Sequence, residues 1–289
     1  MKHCFFTLFL FVFVYETSIS QTTDSILVDS LLINSELNFT DSISNLNEKN
    51  KLLSSSRNSY NKALEFVLNN DFEQAIKSFT KAITIDSAFS SAYFERANCY
   101  EGPNDELAIS DYSTAFSLDS SNLSPLFKIA SIQSRNDRAI AKNTYNQILS
   151  LDAEQWKAYY EIGILLYLDG EIENAITSFT SALDINKDAR SYNDRASCFR
   201  KLENYNEAIK DYLLAITLNS DLAFVYNNLA STYRKQKNTE KAISYYTIAI
   251  SKDENYVLAY NNRGSLQIDL GNNTEALADI EKAISLDKN

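Results

Sequence analysis

Polar side chains recur at a fixed interval in this chain, and their types limit the chemistry it could do. Three asparagines stand 34 residues apart, and a serine follows each four residues later: Asn193 with Ser197, Asn227 with Ser231, and Asn261 with Ser265. Amide and hydroxyl groups donate and accept hydrogen bonds, so such a row could bind the backbone of an extended peptide. Positive charge lies nearby, at Arg190, Arg200, Lys201, Arg234 and Lys235.

Aromatic residues hold the same register in four earlier segments, at Tyr60, Phe94, Phe127 and Tyr160. With Leu64 and Ile164 beside them they suit apolar side chains, so we expect a protein or peptide ligand with an apolar segment and an anionic segment. Two alternatives stay open. The aromatic residues could pack between repeats while the asparagines bond neighbouring backbone, or an N-terminal segment with Ile26, Leu27, Leu31 and Leu32 could fill the aromatic half until a partner displaces it.

Catalytic and metal-binding groups are scarce. His3 is the single histidine, and it would be lost with a cleaved leader. A mature chain without histidine could not form a Ser-His-Asp site, a Cys-His site or a zinc site that contains histidine. Cys99 and Cys198 alone cannot complete a tetrahedral Cys site, and a disulfide between distant repeats would violate the limit of about 7 Å between Cα atoms. We expect no enzyme activity, no cofactor and no metal.

Three arginines are each followed by an aspartate 15 or 16 residues later: Arg96 with Asp111, Arg195 with Asp211, and Arg263 with Asp279. The other segments of the register have neither residue. Because the two types occur together, we predict an ion pair that joins two helices and serves the structure rather than catalysis.

These residues belong to a repeat of 33 or 34 residues. Seven units follow one another at residues 56–89, 90–122, 123–155, 156–188, 189–222, 223–256 and 257–289. The eighth position is always small: Ala63, Ala97, Ala130, Gly163, Ala196, Ala230 and Gly264. The twentieth is always alanine: Ala75, Ala108, Ala141, Ala175, Ala208, Ala242 and Ala276. Small residues on two helices predict that the helices cross closely, with larger residues such as Phe79 and Tyr212 filling the facing holes.

This pattern resembles the tetratricopeptide repeat, although no unit has the proline that usually closes the second helix and the third unit is degenerate. The resemblance implies an all-α fold, a right-handed superhelical α-solenoid of antiparallel helix pairs. It also implies that the first helices form a concave face that carries the fifth position of each unit. A scaffold or adaptor that binds a partner protein or peptide in this groove is the function implied.

The N-terminus predicts export. A positive start, an apolar run from Cys4 to Tyr15 and small residues at Ser18 and Ser20 are typical of a secretory signal peptide, residues 1–20, cleaved near Ser20. The run is too short for the roughly 20 residues that span a bilayer, which makes a permanent anchor the weaker alternative. Residues 21–55 are expected to be a mostly flexible leader. The net charge of -11 disfavours nucleic acid as a partner.

The C-terminal helix offers a second functional hypothesis. Leu277, Ile280 and Ile284 recur at helical spacing, and no further repeat follows in the sequence to cover them. Since repeat arrays need a polar outer face on their last element, we expect weak homodimerisation through this helix. The alternative function is therefore a structural, self-associating array.

Overall fold

The computed structural model describes the backbone of residues 23–287 and the side chains of residues 42–287. It divides into two compact bodies, Met1–Ser87 and Ala88–Asn289, called here the N-terminal and the C-terminal body. The signal peptide at residues 1–20 and its cleavage near Ser20 lie outside the described residues and stay predictions.

The N-terminal body consists of two packed helices, α1 (Thr23–Leu68) and α2 (Phe72–Ile85). The structure differs here from the sequence-based expectation of a mostly flexible leader, because residues 23–55 form the first part of α1. No glycine or proline stands between residues 21 and 55 to interrupt a helix. From residue 42 to residue 55 every side chain but Leu53 is exposed. The side chains of Ile26, Leu27, Leu31 and Leu32 lie outside the described residues.

The C-terminal body contains twelve helices that pack as consecutive pairs. Their bounds are α3 Ser90–Tyr100, α4 Asp105–Leu118, α5 Ser124–Asn136, α6 Arg138–Leu151, α7 Trp156–Leu168, α8 Ile172–Ile185, α9 Ala189–Lys201, α10 Tyr205–Leu218, α11 Ala223–Lys235, α12 Thr239–Lys252, α13 Val257–Asp269 and α14 Asn273–Asp287. The second helix of each pair also packs on the first helix of the next. With α1 and α2, the described residues give seven helix pairs and no strand, which confirms an all-α solenoid.

First helices of neighbouring pairs lie side by side in the C-terminal body. Direct contacts join α7 to α9, α9 to α11 and α11 to α13. Helices of one kind come closest on the inner side of a curved stack. We call the surface formed by α3, α5, α7, α9, α11 and α13 the first-helix face.

Close crossing of the two helices in each repeat forms the core. The small residues at the eighth and twentieth positions are all buried, as the sequence predicts. The large residues four positions after the second alanine fill the space beside them, with at most 3% of their surface exposed: Phe79, Tyr112, Tyr145, Phe179, Tyr212 and Tyr246. Rings of this size contribute most of the apolar area that stabilises each pair.

Short polar residues end the second helices. The C-caps of α2, α4, α6, α8, α10 and α12 are Asp86, Asp119, Asp152, Asn186, Asn219 and Asp253. The Asp152 carboxylate accepts a hydrogen bond from the backbone N–H of Glu154 at 2.9 Å, and the Asn219 amide oxygen accepts one from Asp221 at 3.0 Å. These residues therefore shape turns, as their types predict.

Gly163 lies against the ring of Phe179 on the second helix of its repeat, and its replacement tests the crossing. A Cβ atom built at Gly163 would lie 2.7 Å from the Phe179 ring, whereas one at Gly264 would meet nothing closer than 3.2 Å. Overpacking costs about 1 to 3 kcal/mol, against a gain of up to about 1 kcal/mol in helix propensity. We expect Gly163→Ala to lower the thermal midpoint measured by circular dichroism. Gly264→Ala is the control and should leave the midpoint unchanged or raised; equal midpoints for the two variants would contradict the close crossing.

Candidate functional site

The first-helix face presents a stripe of side chains on each helix. Counted from the first residue of each repeat, positions 2, 5, 9 and 12 are spaced by three and four residues, so they lie along one side of a helix. On α9 these positions hold Arg190, Asn193, Ser197 and Arg200. The residues predicted from sequence to bind a ligand occupy these positions on successive first helices.

Aromatic residues at position 5 pack against the second helix of their own repeat. In the C-terminal body the ring centroids of Phe94 and Tyr112 lie 5.4 Å apart, and those of Tyr160 and Phe179 lie 5.8 Å apart. Phe127 makes the same contact with the Tyr145 ring at 6.1 Å, and Tyr60 meets Phe79 at 5.5 Å in the N-terminal body. All four position-5 rings are partly buried, so each is shared between the core and the surface.

Asparagines at position 5 bond to the next repeat. Asn193 and Asn227 are each only 5% exposed. The Asn228 side-chain amide donates to Oδ1 of Asn193 at 3.0 Å, and the Asn262 amide donates to Oδ1 of Asn227 at 2.8 Å. Asn261 is exposed. Asn193 and Asn227 thus link neighbouring repeats through bonds between side chains. The alternative expected from sequence was bonds from the asparagines to neighbouring backbone.

Serines at position 9 bond to tyrosines of the second helix. The Ser197 hydroxyl lies 3.0 Å from the Tyr212 hydroxyl, and Ser231 lies 3.0 Å from that of Tyr246. Ser265 instead accepts a hydrogen bond from Arg234 at 3.1 Å. The predicted polar row is therefore largely engaged within the protein, and few of its amides and hydroxyls remain for a peptide backbone.

A pairing rule that sequence reasoning missed accounts for these bonds. Position 9 is polar where the facing ring of the second helix is tyrosine, as in Asn98 with Tyr112, whose hydroxyl donates at 2.6 Å. It is apolar where that ring is phenylalanine, as in Ile164 with Phe179. Comparing the two columns pairwise would have shown this, because a buried phenol requires a hydrogen-bond partner.

Each predicted arginine meets its predicted aspartate. Arg195 donates two parallel hydrogen bonds to the Asp211 carboxylate at 2.7 and 3.0 Å, joining α9 to α10. Equivalent two-bond pairs join Arg96 to Asp111 and Arg263 to Asp279. The aspartates are at most 7% exposed. Since each pair is held between the two helices of one repeat, it serves the scaffold.

A large cavity with a partly apolar lining, called here the apolar cavity, opens beside the N-terminal ends of α5 and α7 on the first-helix face. It has a volume of about 690 Å³, and Phe94, Leu123, Phe127 and Leu151 supply its apolar surface. Polar side chains complete the lining: Ser120, Ser121, Asn122, Ser124, Lys128, Asp152, Gln155 and Lys157. Lys157 stands at its rim. Partly buried rings beside an open cavity of this size suit apolar side chains of a ligand.

A smaller, basic cavity lies at the C-terminal ends of α7, α9 and α11. Its volume is about 300 Å³, and its lining includes Arg200, Lys201, Lys235, Tyr167 and Tyr205. Arg234, the other arginine predicted to bind ligand, is paired instead with Asp269. Of the two predicted binding arginines, Arg200 lines this cavity and Arg234 forms an ion pair.

Two carboxylates lie close together on this face. Burial raises the pKa of Glu161, and the neighbouring Asp194 charge raises it further. Burial also raises the pKa of Asp194, although hydrogen bonds from Tyr160 at 2.8 Å and from the Asn193 amide at 2.9 Å partly offset this effect. Both groups are therefore poorly stabilised in the charged form.

The two cysteines of the repeats are buried thiols, and the possible metal ligands are dispersed among the described residues. Cys99 and Cys198 are free and buried, and burial raises the pKa of the Cys99 thiol to about 11 and that of Cys198 to about 12. Within the described residues, no three His, Cys, Asp or Glu side chains gather as a group able to hold a metal ion. No helix in the same part of the chain has the length and apolar character needed to cross a membrane.

Two apolar residues of α14 are strongly exposed. Leu277 is 57% and Ile284 is 52% exposed, whereas Ile280 is partly buried. Self-association through this helix stays a prediction.

Sequence comparison identifies the repeat. Family models described as the tetratricopeptide repeat match residues 187–255, residues 133–189, and residues 56–89 together with 257–289. These matches span more than half of the chain. No curated protein matches it.

Solved structures share the architecture. A tetratricopeptide repeat protein from Parabacteroides merdae is 21% identical, with a TM-score of 0.63, over 81% of this chain and 93% of that chain. The C-terminal part of a protein from Cytophaga hutchinsonii is 19% identical, with a TM-score of 0.62, over 79% and 95%. YrrB, described as having an unusual peptide-binding site, is 23% identical, with a TM-score of 0.50, over 63% and 95%. Identities this low show a common fold.

The carboxylate pair predicts a pH-dependent stability. A carboxyl group whose pKa is higher in the folded than in the unfolded protein favours folding while it is protonated. This contribution is complete below the unfolded pKa and is lost as pH rises through the folded pKa, where the buried group becomes charged. Glu161→Gln should therefore raise the thermal midpoint near neutral pH, and the gain should shrink as pH falls toward about 4.3, the ordinary pKa of glutamate. Glu154→Gln, at an exposed turn, is the control and should change little. A gain independent of pH would contradict this explanation.

Proposed function

We propose, because the chain belongs to the tetratricopeptide-repeat family, that it is a non-catalytic adaptor that binds an extended segment of a partner protein on its first-helix face. The family is generally a protein-interaction fold. The observation that carries the proposal is the apolar cavity of about 690 Å³ beside Phe94 and Phe127.

The cavity has the features of an anchor site for apolar side chains. Leu151 is 53% exposed and lies in its lining, so a ligand side chain there would cover apolar surface that water now contacts. Burying a side chain of leucine size contributes about 1.5 to 3 kcal/mol. The partly buried rings of Phe94 and Phe127 are held by Tyr112 and Tyr145, which gives the floor of the cavity a fixed shape.

The polar row has a different role in this proposal from the one expected from sequence. Because Asn193, Asn227, Ser197 and Ser231 bond within the protein, they hold adjacent repeats in register and keep the face rigid. A rigid face lowers the ordering cost of binding. YrrB, with its peptide-binding site, illustrates that the same fold can hold a peptide.

The proposal also includes export. Its support is the positive start, the short apolar run and the small residues before Gln21 in the sequence. The adaptor would then meet its partner outside the cytoplasm, in a periplasm or in the medium.

The apolar cavity is tested with peptides selected on the full chain from a random display library. We expect the selected peptides to share aromatic or large aliphatic residues, and Leu151→Glu to weaken their binding about tenfold or more in titration calorimetry. Leu218→Glu is the matched control, since Leu218 also precedes the C-cap of a second helix and is 50% exposed. It does not line the cavity. Equal effects of the two variants, or a selection without enriched peptides, would refute the site.

Export is tested by N-terminal sequencing of the protein recovered from the exported fraction of an expressing cell. A sequence that begins near Gln21 is expected. An intact Met1, or protein confined to the cytoplasm, would exclude the proposed compartment.

A further inference from the structure

We propose that the basic cavity at the C-terminal ends of α7, α9 and α11 binds the carboxylate side chains of an acidic segment of the partner. This inference rests on the proposed function, since it names the chemistry of a second subsite on the same first-helix face. Arg200, Lys201 and Lys235 supply the positive charge of the cavity.

A regular contact between neighbouring repeats leads to this assignment. The residue at position 12 of one repeat is paired here with the residue at position 13 of the next repeat, and we call each such pair a rung. Arg234 forms an ion pair with Asp269, and Glu101 lies 3.9 Å from Arg135. A third rung places the Lys201 ammonium group 5.0 Å from the centre of the Tyr167 ring, as a cation–π contact. In each of these three rungs, the groups attract one another, whereas the rung of Ser134 and Leu168 carries no charge.

The remaining rung of the C-terminal body pairs two like charges, and it lies in the basic cavity. Arg200 corresponds to Arg234, but Lys235 stands where Asp269 stands one repeat later. Within the described residues, neither Arg200 nor Lys235 has an ion pair or a hydrogen bond from its side chain to a partner. Two like charges therefore face one cavity, with Lys201 as a third.

The charge balance of the cavity favours a carboxylate ligand. Three cations stand against one lining carboxylate, Glu203, in a chain whose net charge is -11. Like charges in a partly enclosed site repel each other, and an incoming oxyanion removes this cost while accepting hydrogen bonds from arginine and lysine. Tyr167 and Tyr205 add phenol groups to the lining. Glu203 would repel a phosphate dianion more strongly than a single carboxylate, so we assign the site to aspartate or glutamate side chains.

The distance between the two cavities sets the spacing of the ligand. The apolar cavity centres on α5 and the basic cavity on α9, two first helices further along the body. Packed helices lie about 8 to 10 Å apart, which gives roughly 20 Å across two helices. The basic cavity also lies about nine residues further along the helix axis, which is about 13 Å, so the cavities are roughly 24 Å apart. An extended chain advances about 3.4 Å per residue, so about seven residues separate the apolar anchor from the acidic residues.

The experiment uses octaglutamate as the probe and octaglutamine as its uncharged counterpart, titrated into the full chain by calorimetry at low salt. We expect octaglutamate to bind and octaglutamine not to bind, with affinity that falls as salt screens the charges. Lys235→Asp should reduce octaglutamate affinity about tenfold or more, because it supplies Arg200 with the internal partner that Arg234 already has. The thermal midpoint should stay unchanged or rise, so unfolding cannot explain the loss.

Lys187→Asp is the matched control, since it makes the same change in net charge at an exposed turn outside the cavity. It should leave octaglutamate affinity within about twofold of the original. The proposal is overturned if octaglutamate does not bind, if Lys235→Asp binds it unchanged, or if Lys187→Asp weakens it equally. Binding of a phosphoserine peptide in place of octaglutamate would overturn the carboxylate assignment.

Failure of this subsite is distinguishable from failure of the proposed function. If Leu151→Glu weakens the selected peptides while octaglutamate does not bind, the face binds peptides without this anionic subsite. If octaglutamate binds as expected and Leu151→Glu has no effect, the acidic subsite stands and the apolar anchor is wrong.

Discussion

The close crossing of two helices in every repeat is the constraint on which the other features depend. Small residues at the eighth and twentieth positions bring the helix backbones together, and at Gly163 the approach leaves no space even for a methyl group. The large ring of the second helix must then lie beside the small pair, where it is almost fully buried. If the ring is tyrosine, its hydroxyl determines which residue stands at position 9. The core therefore dictates part of the surface that a ligand would meet.

Residues on the first-helix face are thus divided between two tasks. Bonds between repeats engage Asn193, Asn227 and the Arg234–Asp269 pair, which fixes the angle between neighbouring helix pairs. Only positions released from this task can contribute to binding. Such positions are recognisable where the repeat contact is absent, as at Arg200 and Lys235, or where an apolar side chain stays exposed, as at Leu151.

Periodicity in the sequence was enough to predict the helix pairs, the buried small residues and the helix-ending aspartates, because each depends on contacts inside one repeat that recur seven times. The same reasoning predicted the ion pair of Arg195 with Asp211, since arginine and aspartate occur together in a repeat or are both absent. It failed for Asn193, whose partner Asn228 belongs to the next repeat and to a different column. It also missed the helical state of residues 23–55, because a polar segment without glycine or proline gives no periodic signal that separates a helix from a flexible chain.

Binding sites on a repeat protein are consequently easier to find from departures than from regularity. A side-chain type that recurs between repeats of the chain, such as Asn193 and Asn227 at position 5, is explained by a hydrogen bond to the next repeat. A like-charged rung has no such explanation, because two positive charges lining one cavity add nothing to the scaffold and an aspartate at the second position would pair as Asp269 does. Repulsion of this kind persists without cost to the complex when a ligand supplies the missing negative charge. A structural role therefore does not explain the rung of Arg200 and Lys235, whereas it explains the other charged rungs of this face.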